Sequence, residues 1–332
     1  MSVQFTRLRV SGWRQFGDVD LDLTSRLTIL TGANGAGKTT LVTLLGRHFN
    51  WSATFLGLPV RSKSGQLTYS FGIRRSLAAE ANPSDPWIPI GQLYYSNGQV
   101  TPISVYEQNS PQSDVHLPDQ QTVPGLFLSS HRSLSSYQQV QSIPAQFSAS
   151  ETILDQYQGE IRQRYFGVGY SQKSTMLLMK ESLLAAAIYS QGNDAVQASP
   201  EAAEVWAGFQ DCLRLLLPES LKFRRLGARP PEVIVETDTG DFMIDAVSGG
   251  LSALLDLGWQ VYLRSRQFSD FTVCMDEPEN HLHPSLQRSI LPSTTAALGD
   301  LRRGGVTRSG HRVIMPGLCG ARMIKGWPRA IA

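Results

Sequence analysis

Gly32-Ala33-Asn34-Gly35-Ala36-Gly37-Lys38-Thr39 is the stretch that decides the fold, and its eight residues fill the pattern GxxxxGK[ST]. Just upstream, Leu27-Thr28-Ile29-Leu30 is a short apolar run that stops at Thr31. Just downstream, Leu41, Leu44 and Leu45 recur at helical spacing. The order is therefore strand, glycine loop, helix. A phosphate chain carries dense negative charge and needs many hydrogen-bond donors at close range. Glycines let the backbone approach and turn its N–H groups inward. The following helix start adds unpaired N–H groups and the positive end of a dipole. Lys38 is placed for the β- and γ-phosphates of a nucleotide, and Thr39, followed by Thr40, for a bound Mg²⁺.

Outward from the loop, Phe5-Thr6-Arg7-Leu8-Arg9-Val10 and Val19-Asp20-Leu21-Asp22-Leu23 alternate apolar and polar residues, as half-buried strands do. Residues 50–125 are rich in Ser, Pro, Gln and Gly, with short strands predicted at Gln66–Ile73, Gln92–Tyr95 and Val100–Tyr106. Leu126-Phe127-Leu128 reads as a buried strand. Helices are predicted over Glu151–Tyr165, Lys173–Ser190 and Pro200–Leu217, the last bounded by Pro200 and Pro218. Strands follow at Glu232–Glu236 and Asp241–Ile244, then a helix after Ser248 and an apolar strand at Phe271–Met275.

The chain's 332 residues, 41% of them hydrophobic and 17% charged, make one large α/β domain or one domain with an inserted lobe. The net charge of +2 conceals a split: residues 299–332 carry seven Arg or Lys against Asp300 alone, which leaves the rest near −4 by subtraction. The basic excess belongs to a short tail, which weakens it as a sign of nucleic-acid binding. The cysteines, Cys212, Cys274 and Cys319, form no CxxC pair and suit reduced thiols in a cytoplasm. No leader pattern and no apolar run long enough to span a membrane is seen.

Two further stretches carry chemistry. The run Phe271–Met275 ends in Asp276-Glu277, which puts two carboxylates at the carboxyl edge of a parallel sheet, where nucleotides bind. Asp276 is read as a holder of Mg²⁺ and Glu277 as the base that polarises an attacking water. Ser248-Gly249-Gly250 opens an apolar helix 28 residues before Asp276. A serine helix cap is its bland reading. His281 and His283 flank one residue beside Glu279, a spacing read as helix-entry packing and not as a metal site.

These stretches, in this order, resemble the ABC-type ATPases. Gly32–Thr39 is similar to their Walker A loop, Met275-Asp276-Glu277-Pro278 to Walker B, and Ser248-Gly249-Gly250 to the core of their LSGGQ signature, with Val247 and Leu251 in place of the flanking residues. The opening Leu8-Arg9-Val10-Ser11-Gly12-Trp13-Arg14-Gln15-Phe16 and the run Asp276–Pro284 resemble the RecF/SMC/OLD-like branch. Phe127–Arg132 resembles a segment of bacterial members of that group.

The resemblance implies an α/β P-loop NTPase head with a mixed central sheet, an antiparallel N-terminal β subdomain and an inserted helical lobe. The parts would be 1–130 and 220–298 for the ATPase lobe, 131–219 for the helical lobe, and 299–332 for an atypical basic tail. It implies ATP and Mg²⁺ as cofactors. It also implies pairing of two heads on ATP, each nucleotide held by one copy's Gly32–Thr40 and the other's Ser248-Gly249-Gly250. Arg14 aligns with an arginine near the nucleotide, and Trp13 or Phe16 would lie near its base. The branch serves DNA repair or anti-phage defence with a nuclease or other effector, and with DNA as a partner. A loop glutamine that senses Mg²⁺ corresponds to Gln138, with Gln139 and Gln141 as neighbours.

The tail departs from this pattern. The family closes its core with an apolar strand followed by a histidine on the γ-phosphate. Here His311 precedes Val313-Ile314-Met315 instead of following it. The tail reads as disordered or out of frame, with the last sheet strand missing and hydrolysis impaired. A transporter motor subunit, a small-molecule phosphoryl-transfer enzyme and a non-hydrolysing nucleotide switch stay open as alternatives.

Overall fold

The computed structural model describes residues 2–61, 63, 65–73, 87–106, 110–130, 137–167, 169, 172–192, 194, 197–278, 280, 282, 287 and 311–316. In chain order the strands are β1 (Phe5–Trp13), β2 (Phe16–Asp22), β3 (Leu27–Leu30), β4 (Phe55–Leu56), β5 (Leu58–Arg61), β6 (Leu67–Ser70), β7 (Trp87–Tyr95), β8 (Val100–Tyr106), β9 (Gln112–Ser113), β10 (Val115–His116), β11 (Gly125–Leu128), β12 (Phe223–Arg229), β13 (Glu232–Thr237), β14 (Phe242–Met243), β15 (Thr272–Met275) and β16 (Arg312–Pro316). The helices are Lys38–Gly46, Ser150–Phe166, Thr175–Tyr189, Pro200–Leu216 and Gly249–Gln267, with single turns between. The chain divides into two compact units. One contains 1–128, 270–277 and 310–332; the other contains 129–269 and 278–309.

The first unit holds two main sheets. Five strands form an antiparallel sheet in the order β10-β8-β7-β1-β2. Its alternating residues sort by face: Phe5, Leu8 and Val10 are buried, while Arg9 faces outward and pairs with Asp20 across the ladder at 3.1 Å. Four strands form a parallel sheet in the order β11-β15-β16-β3. Parallel strands covered on both faces read as continuous apolar runs. All four residues of β11 and all four of β15 are accordingly buried. The helix Lys38–Gly46 lies on this sheet, packed over β15 and β16, with Leu41, Val42, Leu44 and Leu45 buried.

The tail supplies a strand that sequence reading expected to be missing. β16 sits inside the sheet, with Val313 beside Leu27 on one side and Val273 on the other. Val313, Ile314 and Met315 are buried, and Arg312 anchors the strand start by donating to Leu23 O at 3.0 Å and to Phe5 O. A glycine-rich, basic context hid a run of three apolar residues whose slot both neighbouring strands leave open. Pro316, with no N–H, comes last, where the ladder asks least of it.

Among the described residues, the second unit packs four helices with the antiparallel sheet β12-β13-β14. Serines cap three helix starts: Ser174 accepts from Leu177 N, Ser199 from Ala202 N and Ser248 from Leu251 N. Phe209 meets Trp259 edge to face at 4.8 Å in the core, and Tyr157 donates to Asp256 at 2.7 Å between two helices. The division differs from the expected boundaries at 131–219 and 220–298. The hairpin β12-β13 and the helix Gly249–Gln267 pack against the helices before them, so residues 220–269 belong to the helical unit. Asp270–Glu277, with β15 and the two acidic residues, returns to the first unit.

If β16 is a central strand, Ile314→Ala removes buried volume between two ladders. The expected cost is about 2–5 kcal/mol, read as a lower urea midpoint; an unchanged midpoint contradicts the placement. His48 offers a pH signature. Burial, with Arg47 nearby, holds its imidazole down to about 4, against a bond at the Leu45 backbone that works the other way. Its Nε2 meets Tyr95 Oη at 2.8 Å. The fold keeps His48 neutral while the unfolded chain protonates it. Stability is therefore full above about pH 6.5 and falls as the pH drops toward 4, by at most about 3 kcal/mol. His48→Gln should flatten that part of the stability profile.

Candidate nucleotide site

Gly37 ends the loop and caps the helix Lys38–Gly46 with φ 94°, a left-handed conformation that suits glycine. A Cβ there would lie 2.2 Å from Gln15 Nε2 and 2.5 Å from Phe16 Cζ. Only glycine lets the β1–β2 turn close onto the loop. No side chain caps the helix and no acidic residue occupies its first turn, so the helix start presents its N–H groups and dipole to an anion. Residues 31–36 are exposed, as a ligand loop must be. Lys38 Nζ donates to Gly32 O at 2.9 Å and Ala33 O at 3.1 Å, folding the ammonium over its own loop.

The acidic pair meets this loop. Thr39 Oγ1 donates to Asp276 Oδ1 at 2.9 Å. Asp276 is 5% exposed and extends the β11 ladder by donating its N–H to Leu128 O at 2.8 Å. A hydroxyl and a nearly buried carboxylate in contact are hard oxygen donors of the type Mg²⁺ takes alongside phosphate oxygens. Among the described residues no cluster of three His, Cys, Asp or Glu forms an all-protein metal cage. Glu277 follows, exposed, with φ 44°. For a non-glycine residue that is strained backbone, of the kind that collects at functional sites.

Arg14 lies in the β1–β2 turn, with φ 53° and its N–H donated to Gly72 O at 2.8 Å. Its guanidinium stands 5.7 Å from the Trp13 ring and 5.4 Å from the Phe55 ring, and partial burial pulls its pKa down. Trp13 is fully buried and Phe16 nearly so, which makes both packing residues of this turn. Gln15, exposed and touching the loop at Gly37, was not singled out from sequence. Its position beside Arg14 in a two-residue turn was the available signal.

Other expected residues lie elsewhere. Ser248, Gly249 and Gly250 start a helix of the second unit, with Ser248 exposed and accepting from Leu251 N at 3.4 Å. Gln138 commits both ends of its amide to backbone: Ser174 N donates to its Oε1 at 2.7 Å and its Nε2 donates to Gln172 O at 2.6 Å. That engages the group a metal would need. Gln141 donates to Gln139 O at 3.5 Å. His311 comes before β16, not after it. It is buried, accepts from Phe271 N at 3.3 Å and stacks edge-on against Phe271 at 4.5 Å. It therefore belongs to the amino edge of the parallel sheet, opposite the loop. Glu279, His281 and His283 lie outside the described residues.

A strand, a glycine loop and a helix on a parallel sheet, with Asp276 one strand removed from β3, make the architecture specific. The fold is that of a P-loop NTPase. A family model described as an AAA domain matches residues 7–47, from β1 through the P-loop helix. No curated protein is significantly similar in sequence. Among solved structures, the SMC head domain from Thermotoga maritima is 12% identical, covering 95% of this chain and 89% of that one, with a TM-score of 0.41. An Smc head domain with an extended coiled coil from Pyrococcus furiosus, bound to the C-terminal domain of ScpA, is 14% identical over 96% and 90%, with a TM-score of 0.45. An SmcHead bound to the C-winged helix domain of ScpA is 14% identical over 95% and 90%, at 0.48. Among the described residues no helix is long and apolar enough to cross a membrane.

Asp276→Asn keeps the shape beside Thr39 and removes the charge that favours a divalent cation. Titration calorimetry should show at least about tenfold weaker binding of ATP with Mg²⁺ and unchanged binding in chelator. Equal loss in both conditions counts against a metal role.

Proposed function

We propose that the chain is an ATP-binding and ATP-hydrolysing head of the RecF/SMC-like type that pairs with a second copy on ATP. The observation that carries this reading is the contact between Thr39 and Asp276 at 2.9 Å beside a complete phosphate loop. In this reading the loop from Gly32 to Thr40 cradles the phosphates, and Lys38 exchanges its loop carbonyls for phosphate oxygens. Thr39 and Asp276 hold Mg²⁺, which when bound neutralises phosphate charge. Glu277, exposed next to Asp276, orients and deprotonates the attacking water. Arg14 and its turn border the loop on the side of the base. Gln138 is left out of the metal set because its amide already caps backbone groups.

Ser248-Gly249-Gly250 is assigned to the nucleotide of a second copy. Its support is chemical: an exposed serine at an exposed helix start offers donors and a positive dipole end to a γ-phosphate. Work on DNA in repair or anti-phage defence, with a separate nuclease or other effector, rests on the resemblance in sequence.

One observation favours a second reading, a nucleotide switch with little turnover. His311 stands at the amino end of β16, bonded to Phe271 N, at the edge of the sheet opposite the loop and away from a γ-phosphate.

Glu277→Gln decides between them when turnover and molecular mass are measured with ATP and Mg²⁺. The head reading expects slow wild-type turnover, a loss of about a hundredfold or more in the variant, and an ATP-bound dimer trapped by it. Tight ATP binding without turnover or dimer in either protein selects the switch. Equal turnover in both proteins removes Glu277 from the chemistry.

A further inference from the structure

Lys180, on the helix Thr175–Tyr189, is a charged side chain with no solvent exposure. Its ammonium has three donors and meets three oxygens. It donates to Gln138 O at 2.6 Å and to Glu232 Oε2 at 2.9 Å, and pairs with Asp245 Oδ2 at 2.8 Å. Tyr137 closes the cluster, with its ring 5.0 Å from the ammonium and its hydroxyl donating to Glu232 Oε1 at 2.7 Å. One nitrogen thus gathers four pieces of the second unit: its own helix, residues 137–138, β13, and the single turn Ile244–Ala246.

Such a cluster is a costly way to fill space. A buried ion pair seldom outdoes an apolar replacement in stability, and its best-attested use is to fix register. The member that matters most is Asp245. Its Oδ2 has no hydrogen-bond partner among the described residues, so the Lys180 charge is what compensates it. Asp245 is separated from Ser248 only by Ala246 and Val247, and Val247 is extended at φ −67° and ψ 151°. The three steps of chain from Asp245 to Ser248 span at most about 11 Å. Pinning Asp245 therefore restricts where Ser248 and the helix start behind it can go.

We propose that Lys180 is a positioning residue for the signature segment. Through Asp245 it holds Ser248-Gly249-Gly250 in fixed register with residues 137–138 and β13, so that the exposed helix start is preformed for the phosphate it meets. The assignment of that phosphate to a second copy's ATP rests on the function proposed above; the pinning of the segment does not.

The test uses the full chain with Asp245→Asn, which keeps side-chain shape, and Lys180→Met as the more severe variant. Hydrogen exchange is followed by mass spectrometry on peptides covering 244–252 and 32–41. ATP affinity, and ATP-dependent self-association in a Glu277→Gln background, are measured alongside. For Asp245→Asn the expected result is exchange about tenfold faster in 244–252 with 32–41 unchanged. ATP affinity should stay within about twofold, and self-association should weaken by about tenfold. Exchange in 244–252 unchanged in both variants overturns the proposal. So does acceleration spread evenly over the second unit in Asp245→Asn, which would make the cluster a general stabiliser. Faster local exchange with undiminished self-association overturns the link to ATP-dependent pairing. If the Glu277→Gln parent itself does not self-associate, the pairing reading fails, and local exchange alone decides the role of Lys180.

Discussion

A hydroxyl and a carboxylate far apart in sequence touch in this protein because one short strand stands between theirs. Thr39 follows β3, Asp276 follows β15, and β16 fills the single slot separating them. The parallel register brings Leu30 beside Pro316 and Leu128 beside Met275, so the strands end level at the carboxyl edge. Helix starts and chain turns cluster at that edge in any such sheet. Remove the strand, and β3 has no hydrogen-bonded neighbour in this sheet, while the loop loses its acidic counterpart. The chemistry of the site is local, but its geometry is a property of the whole ladder.

The site also concentrates backbone conformations that folding alone would avoid. Gly37, Arg14 and Glu277 all have positive φ, and two of them carry side chains. A left-handed non-glycine residue costs of order 1–3 kcal/mol, and here the neighbours hold each in place. Arg14 is bonded to Gly72 and flanked by aromatic rings; Glu277 follows a residue tied into the ladder. Strain of this kind favours preorganisation: the turn over Gly37 and the carboxylate after Asp276 are set before any ligand arrives.

Much of this was legible in the chain. The glycine loop, the apolar run into Asp276-Glu277 and the serine before Gly249 each occupy the structural context their residues imply, because each is local: a few residues fix strand end, turn and helix start. The three helices between 150 and 217 were legible for the same reason, through periodicity and caps. What escaped was non-local. β16 offers only three apolar residues in a glycine-rich tail, and its strand identity comes from partners near residues 27 and 273. The membership of 220–269 depended on which helices the hairpin packs against, information no spacing carries. Gln138 was chosen by distance along the chain, whereas its amide is drawn to the unsatisfied N–H groups of a helix start. Lys180 reads in sequence as an interruption of an apolar helix; three acceptors from three other segments explain it.

The placement of β16 also has a consequence for biosynthesis. β3 leaves the ribosome early, yet its hydrogen-bonded neighbour in the sheet is the segment around Val313. At ordinary elongation rates the wait is from roughly a quarter of a minute to a minute, during which β3 lacks its hydrogen-bonded neighbour in the sheet. A nascent chain of this kind cannot assemble its nucleotide site in stages. The site closes only when β16 takes its slot between β15 and β3.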